Sequence, residues 1–204
     1  MSSPEDWRRV HELRGEVDGI MVGINTILTD NPLLTNRSGA GKKPVRIVVD
    51  SSARMPLTSM LLQPPDPRVI IACSENADRE AVAKLEKAGA TIIELEEVRS
   101  STFENRAFID LSALLLILKE KEGIERLLLE GGSELNWGML SRGLVDELRV
   151  CITPIVIGGK DSKSLVGGEG FSSIEESLKL TFVDSKPIHK TGEVLLTFRS
   201  KGDR

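Results

Sequence analysis

The 204 residues include no tyrosine, and the few phenylalanines and tryptophans bring the aromatic share to only 3%. A chain so poor in aromatic faces lacks the stacking platforms that hold single-stranded nucleic acid. Basic residues are outnumbered, 27 against 31 acidic ones, for a formal charge of −4. No net positive field is there to attract a polyanion, so no nucleic-acid partner is expected. Long apolar runs are missing too. The longest, residues 111–118, is broken by Ser112 and ends in Lys119 and Glu120, well short of the ~20 residues that cross a bilayer. The first residues form no basic-plus-apolar leader, and the expectation is a cytoplasmic protein without a membrane partner. Histidine and cysteine are scarce: His11, His189, Cys73 and Cys151 are all there is. None has a ligand-spaced neighbour, which argues against zinc, and no metal is expected. Each cysteine sits in or beside an apolar β-like run and reads as a buried strand thiol, not a disulfide partner or a nucleophile.

What remains is ordinary globular material. Apolar residues make up 40% of the chain, enough for one compact α/β domain over residues 1–204. Ser3 as N-cap, Pro4 at the first helical position and Glu5 and Asp6 in the first turn predict an opening helix that Gly15 ends. Residues 18–24 read as a short buried strand. Residues 25–37 read as turn-rich around Asp30-Asn31-Pro32, and 37–44 as a surface loop. Strands over 45–50 and 69–74, a helix over 77–88 and a strand over 91–95 follow, the last three forming a βαβ unit with parallel strands. A helix over 111–121, a strand over 125–130, a helix over 133–142 and a long strand over 147–156 complete the expected parallel part. Residues 178–183 and 193–199 read as an antiparallel hairpin at the sheet edge. The predicted architecture is a three-layer α/β fold with a mixed, mostly parallel central sheet and a C-terminal antiparallel hairpin. Ligands of such sheets sit beyond the carboxyl ends of the strands.

Four groups of residues stand at those ends. In Leu127-Leu128-Leu129-Glu130-Gly131-Gly132-Ser133 an apolar strand ends in a carboxylate and two glycines before a helix. Glycine lets a bound group approach the backbone, and a helix N-terminus offers free N–H donors to phosphate oxygens. The spacing is not the dinucleotide pattern G-x-G-x-x-G, and a plain strand–helix turn accounts for the same residues equally well. A second pair, Gly158-Gly159 before Lys160, follows the next strand; together the two pairs suggest an anion cradle, though two tight turns also fit. Residues 36–43 echo a P-loop only superficially, since Asn36 stands where glycine is required and Lys43 where serine or threonine is. Thr26, Asp30, Leu34 and Arg37, with Arg14 on the first helix, bring two guanidinium groups near one strand end, suited to phosphate, or simply to solvent. In Asp50-Ser51-Ser52-Ala53-Arg54 the acid could hold a ribose 2′-hydroxyl, favouring NAD, or Ser52 and Arg54 a 2′-phosphate, favouring NADP.

Taken in order, His11-Glu12-Leu13-Arg14, Asp18-Gly19-Ile20-Met21-Val22-Gly23, Thr26-Ile27-Leu28-Thr29-Asp30-Asn31-Pro32-Leu33-Leu34-Thr35, residues 45–51, Leu129-Glu130-Gly131-Gly132, Leu135-Asn136-Trp137-Gly138, Gly143-Leu144-Val145-Asp146-Glu147 and residues 154–160 resemble the reductase family of riboflavin biosynthesis, whose fold is dihydrofolate-reductase-like. The stretch from Gly132 to Gly138 looks most like the stand-alone archaeal and fungal type, which reduces 2,5-diamino-6-ribosylamino-4(3H)-pyrimidinone 5′-phosphate to its ribitylamino product. The resemblance implies a homodimer and NADPH as hydride donor, with NADH the alternative. It implies cofactor contacts from Thr26, Asp30, Ser51, Ser52, Ala53, Arg54, Gly131, Gly132, Ser133, Glu134, Leu135, Asn136, Trp137 and Gly138, with Gly158 and Gly159 adding to the cradle. Arg14, Leu34, Arg37 and Glu130 would face the phosphorylated small-molecule substrate, and Glu130 is the expected catalytic residue. Family members carry a further strand with a Met-Ser/Thr-Leu-Asp-Gly-Lys-type segment before the helix that opens here. Its absence is expected to leave a hydrophobic slot in the sheet unless another segment or subunit fills it. A reductase of the deaminated 5-aminouracil analogue and a non-catalytic nucleotide-binding relative share these strings. A dihydrofolate reductase proper is disfavoured by the arginine pair and the Gly-Gly cradles.

Overall fold

The computed structural model describes residues 3–63, 68–99, 107–159, 162–188 and 190–200; Lys160 and His189 lie outside them. Helix α1, Pro4–Glu16, begins as its sequence predicts: the Ser3 hydroxyl accepts the Asp6 N–H at 3.1 Å, and Asp6 pairs with Arg9 at 2.7 Å. Strand β1, Gly19–Gly23, follows. Asp18 joins its start to the neighbouring strand, one carboxylate oxygen accepting the N–H groups of Glu125 at 3.2 Å and Arg126 at 2.8 Å while the other meets Lys42.

Residues 25–30, expected as turn, together with Ile24, expected to end the strand, form a helix instead: α2, Ile24–Asp30. Its β-branched and Asn residues are poor helix formers, but Ile24 and Ile27 fall on one face and are both buried, and that packing outweighs propensity. Asn31 ends the helix in the left-handed conformation, and its side-chain oxygen accepts the Met60 N–H at 2.9 Å.

Strands β2 (Val45–Val49), β3 (Val69–Ser74) and β4 (Thr91–Leu95) follow, with α3 (Arg79–Lys87) between the last two. Residues 97–99 and 107–109 form a small antiparallel pair, β5 and β6, which the sequence reading did not anticipate. Then come α4 (Leu111–Glu120), β7 (Leu127–Leu129) and α5 (Ser133–Leu140). The central sheet runs β4-β3-β2-β1-β7, with every pairing parallel.

Successive residues of these strands face opposite sides, and both sides are covered. Ile20, Val22, Val48 and Ile71 pack with α2 and α3 on one face. Met21, Ile47 and Ile70 lie side by side in register and pack with α4 and α5 on the other. All seven are fully buried, each burial contributing roughly 1.5–3 kcal/mol. This is the three-layer arrangement.

Strand β8, Glu147–Ile152, departs from expectation. It does not extend the parallel sheet; it pairs antiparallel with β10 (Glu193–Ser200), which also pairs with β9 (Leu180–Ile188), in a separate sheet of order β8-β10-β9. The late hairpin is present, but its partner is β8 rather than the central sheet. Among the described residues β7 pairs only with β1, and β8 only with β10. The two unpaired edges line a common cleft of about 1060 Å³, whose apolar walls include Leu13 and Val17 from one side and Leu118 and Met139 from the other. The start of β10 is tied to α1 by Glu193, which accepts the Ser3 N–H at 2.9 Å and the Ser3 hydroxyl.

Candidate active site

A second cleft, of about 1040 Å³, opens at the carboxyl ends of β1, β2 and β7. Thr26 and Asp30 reach it from α2, Ser51, Ser52 and Arg54 from the turn after β2, and residues 130–138 from the end of β7 through α5. Sequence positions more than a hundred residues apart thus meet because parallel strands place all their carboxyl ends on one side.

The geometry at the end of β7 is specialised. Gly131 has φ = 104°, a region L side chains rarely adopt, and the peptide linking it to Gly132 is cis. Gly132 caps α5 without any side-chain hydrogen bond, so N–H groups of the first helical turn are left for an anionic ligand or water. A methyl group on Gly132 would fill the space 3.5 Å in front of the Thr26 hydroxyl. The donor set therefore suits a phosphate-bearing ligand: a bare helix N-terminus, hydroxyls at Thr26, Ser51 and Ser52, and the Arg54 guanidinium.

After β2, Asp50 is fully buried. Its Oδ2 accepts the Met55 N–H at 2.8 Å, and Arg54 Nε lies 3.8 Å from Oδ1. Burial pushes its carboxyl above the ordinary range, against the pull of the turn's N–H groups and Arg54. Asp50 thus braces the turn and faces inward, while Ser52 and Arg54 face the cleft. Ala53 lies between them at φ = 53° and is buried in the core.

Glu130 is the hinge between the clefts. Among the described residues it is the only charged one that lines both. Arg14, half a turn from the end of α1, reaches it with a two-pronged contact: Nε to Oε1 at 2.7 Å and Nη2 to Oε2 at 2.6 Å. Arg14 Nη1 also donates to the Thr35 carbonyl at 3.0 Å. His11 Nδ1 lies 3.0 Å from the same carbonyl; burial and the neighbouring Arg14 cation lower its pKa. Arg37 is exposed beside this network, its Nε donating to the Thr35 hydroxyl at 3.3 Å.

Not every expected residue converges here. Leu34 is buried at φ = 49° with its side chain in the core, and neither it nor Arg37 lines either cleft. Gly158 and Gly159 form an exposed turn beyond β8, also outside both clefts. The diversion of β8 into its own sheet carries them away. Both thiols are pushed up to about 11, chiefly by burial, so neither is poised as a nucleophile at neutral pH.

Sequence reading missed the far wall, residues 163–169, which folds over α5. The Asn136 amide donates to the Leu165 carbonyl at 2.8 Å, and the Gly167 N–H to the Ser133 carbonyl at 3.0 Å. Trp137 meets Phe171 edge-on, ring centres 4.9 Å apart. At Gly168, φ = 73°, an added Cβ would stand 2.0 Å from the Trp137 ring. The one local signal was the glycine pair Gly167-Gly168 itself. No described helix is long and apolar enough to cross a membrane.

Comparison with known proteins gives this arrangement relatives. Residues 1–192 match the model of the RibD C-terminal domain. The chain is 45% identical over 199 residues to the 2,5-diamino-6-ribosylamino-4(3H)-pyrimidinone 5′-phosphate reductase of Methanothermobacter thermautotrophicus, covering 96% of this chain and 85% of that protein. It is 38% identical over 199 residues to the protein of the same name from Aquifex aeolicus, covering 96% and 84%. Among solved structures, RibD of Acinetobacter baumannii superposes with a TM-score of 0.80 at 21% identity, a likeness of fold that takes in 98% of this chain and 52% of that one.

Proposed function

The chain belongs to the RibD C-terminal domain family, and on that footing we propose that it is an oxidoreductase of riboflavin biosynthesis, reducing 2,5-diamino-6-ribosylamino-4(3H)-pyrimidinone 5′-phosphate with NADPH. The observation that carries the proposal is Glu130, a fixed carboxylate where the cleft at the strand ends meets the cleft lined by Arg14. A reduced nicotinamide supplies hydride when bound. The sugar carbon C1′, presented as an open-chain imine, takes that hydride while its nitrogen takes one proton, so C1′=N becomes CH2–NH. Glu130 places a negative charge where C1′ is electron-poor before transfer. It is also within the site for moving the proton of ring opening.

Several observations support the finer parts. Residues 131–138, with Thr26 and Asp30, would hold the cofactor's phosphates and nicotinamide half. Ser52 and Arg54 favour a 2′-phosphate, and the inward-facing Asp50 is committed to the Met55 N–H rather than a ribose hydroxyl; NADPH is therefore preferred over NADH. Arg14, paired with Glu130, would face the substrate, whereas Arg37 stands outside both clefts, beside the Thr35 hydroxyl. A homodimer fits the exposed Ile155, Val156 and Ile157, with Val156 97% exposed. A cytoplasmic location follows from soluble metabolites as both reactants.

Oxidation of NADPH with the diamino substrate, followed by absorbance, tests the proposal. Turnover is expected, with a fall of about 100-fold or more in kcat for Glu130→Gln. Full turnover by Glu130→Gln would remove its catalytic role, and turnover of the deaminated analogue alone would reassign the substrate.

A further inference from the structure

Four of the described residues line both clefts: Glu130, Gly131, Asn136 and Leu165. Leu165 has the only apolar side chain among them. It belongs to the segment 163–169, and its main chain is fixed to α5 on both sides. The Asn136 amide donates to the Leu165 carbonyl at 2.8 Å, and two residues on the Gly167 N–H donates to the Ser133 carbonyl at 3.0 Å. The contacts lead back to the end of β7, where a Cβ on Gly131 would lie 4.0 Å from the same Asn136 Nδ2. With its backbone held there, the Leu165 side chain stands at the meeting point of the clefts. It is 51% exposed and so open to being covered by whatever fills them.

The reduction proposed above places an electrophilic carbon, C1′ of the open-chain imine, beside the Glu130 carboxylate. Water attacks the same carbon. Its oxygen bonds to C1′, its protons pass to nitrogen, and the C1′–N bond breaks, releasing the free pyrimidine amine and the ribose phosphate aldehyde. One water is consumed and no NADPH. A carboxylate able to move a proton serves that attack as readily as the reduction, so the outcome depends on keeping water out. We infer that Leu165 is the cover of the junction: with both clefts filled, its side chain shuts water from C1′, and the imine is reduced instead of hydrolysed. This rests on the reductase reading above. Leucine suits the task, having no polar atom to hold a water and losing only about 0.5–1 kcal/mol of rotamer freedom when covered. A drier junction also strengthens the pull of Glu130 on the electron-poor carbon.

The test counts products. Wild type, Leu165→Ala and Leu165→Met are given the diamino substrate and NADPH; NADPH oxidation is followed by absorbance, and the ribitylamino product and the free pyrimidine amine are separated by chromatography. The rate of hydrolysis without enzyme is subtracted. Leu165→Ala is expected to raise the ratio of hydrolysis to reduction about 10-fold and to lower kcat for reduction about 3- to 10-fold. Leu165→Met keeps the apolar bulk and should hold the ratio within about 2-fold of wild type. A partly unfolded variant lowers both rates together and leaves the ratio alone, so the ratio separates a cover from a structural prop. An unchanged ratio in Leu165→Ala would overturn the inference, whatever happens to kcat, and so would a Leu165→Met that leaks as much as Leu165→Ala. A wild type inactive on this substrate overturns the reductase reading itself, and this inference with it.

Discussion

Arg54 should decide which nicotinamide dinucleotide the protein prefers. Its guanidinium is about half exposed, at 52%, and stands 3.8 Å from the buried Asp50 carboxylate at the cleft wall. A 2′-phosphate placed there would accept charge-assisted hydrogen bonds. In buried settings such bonds contribute about 1.5–3 kcal/mol. At a half-exposed site solvent screening reduces this to about 1–2 kcal/mol, a factor of roughly 5–30 in affinity. Arg54→Ala should therefore weaken NADPH by about 5- to 30-fold and leave NADH unchanged. Truncation also strips Asp50 of its cation, so Arg54→Lys is the necessary control: it retains the charge, and NADPH affinity should fall between the other two. Trp137 lines the same cleft, so quenching of tryptophan fluorescence gives each Kd without any turnover. Equal weakening of NADPH and NADH would mean that Arg54 merely braces the turn. No weakening of either would refute the 2′-phosphate assignment.

Two further perturbations probe the frame. Asp18→Ala removes the acceptor for the Glu125 and Arg126 N–H groups and should cost about 2 kcal/mol, lowering Tm by roughly 4–8 °C for a chain of this size. Lys42 first, then the Arg126 N–H, hold the Asp18 carboxyl below its ordinary range. Its contribution is thus complete above the ordinary carboxylate pKa and is lost as pH falls through the lower folded value. The Tm gap to wild type should stay constant from neutral pH down to about pH 4 and close below; narrowing between neutrality and that point would contradict the assignment. Gly168→Ala forces a methyl into the Trp137 ring from a positive-φ position. It should cost about 1–3 kcal/mol, lift residues 163–169 off α5, and weaken NADPH in the same fluorescence titration.

The parallel core was legible because its longer strands are predominantly apolar, with a single charged residue in β2 (Arg46) and in β4 (Glu94), as burial on both faces favours. β8 was misplaced for a reason visible in its residues. Glu147-Leu148-Arg149-Val150-Cys151-Ile152 alternates polar and apolar at its start, and none of the six is fully buried, the mark of an antiparallel strand with one covered face. α2 escaped notice because only tertiary packing makes that sequence helical. At the site, residues 130–138 were readable because they are contiguous and use glycine at a strand end. Residues 163–169 were not, since their place over α5 rests on contacts with Ser133, Asn136 and Trp137, about thirty positions earlier. The Arg14–Glu130 pair spans 116 positions; both residues were singled out as substrate contacts, and no local pattern could show that they would hold each other.

The one-sided pairing of β7 has a consequence for water. Along a strand, successive N–H groups point to opposite edges. The Glu130 N–H faces β1 and bonds Met21, so the Leu129 N–H faces the cleft between β7 and β8. A peptide group left dry there would cost several kcal/mol, so either water or a further pairing segment or subunit must meet that edge. Hydrogen exchange tells the two apart: with water at the edge, protection alternates residue by residue along β7, slow toward β1 and fast toward the cleft, whereas a paired edge protects both. The carboxylate that ends the strand is thus carried on a ribbon whose two edges answer to different neighbours.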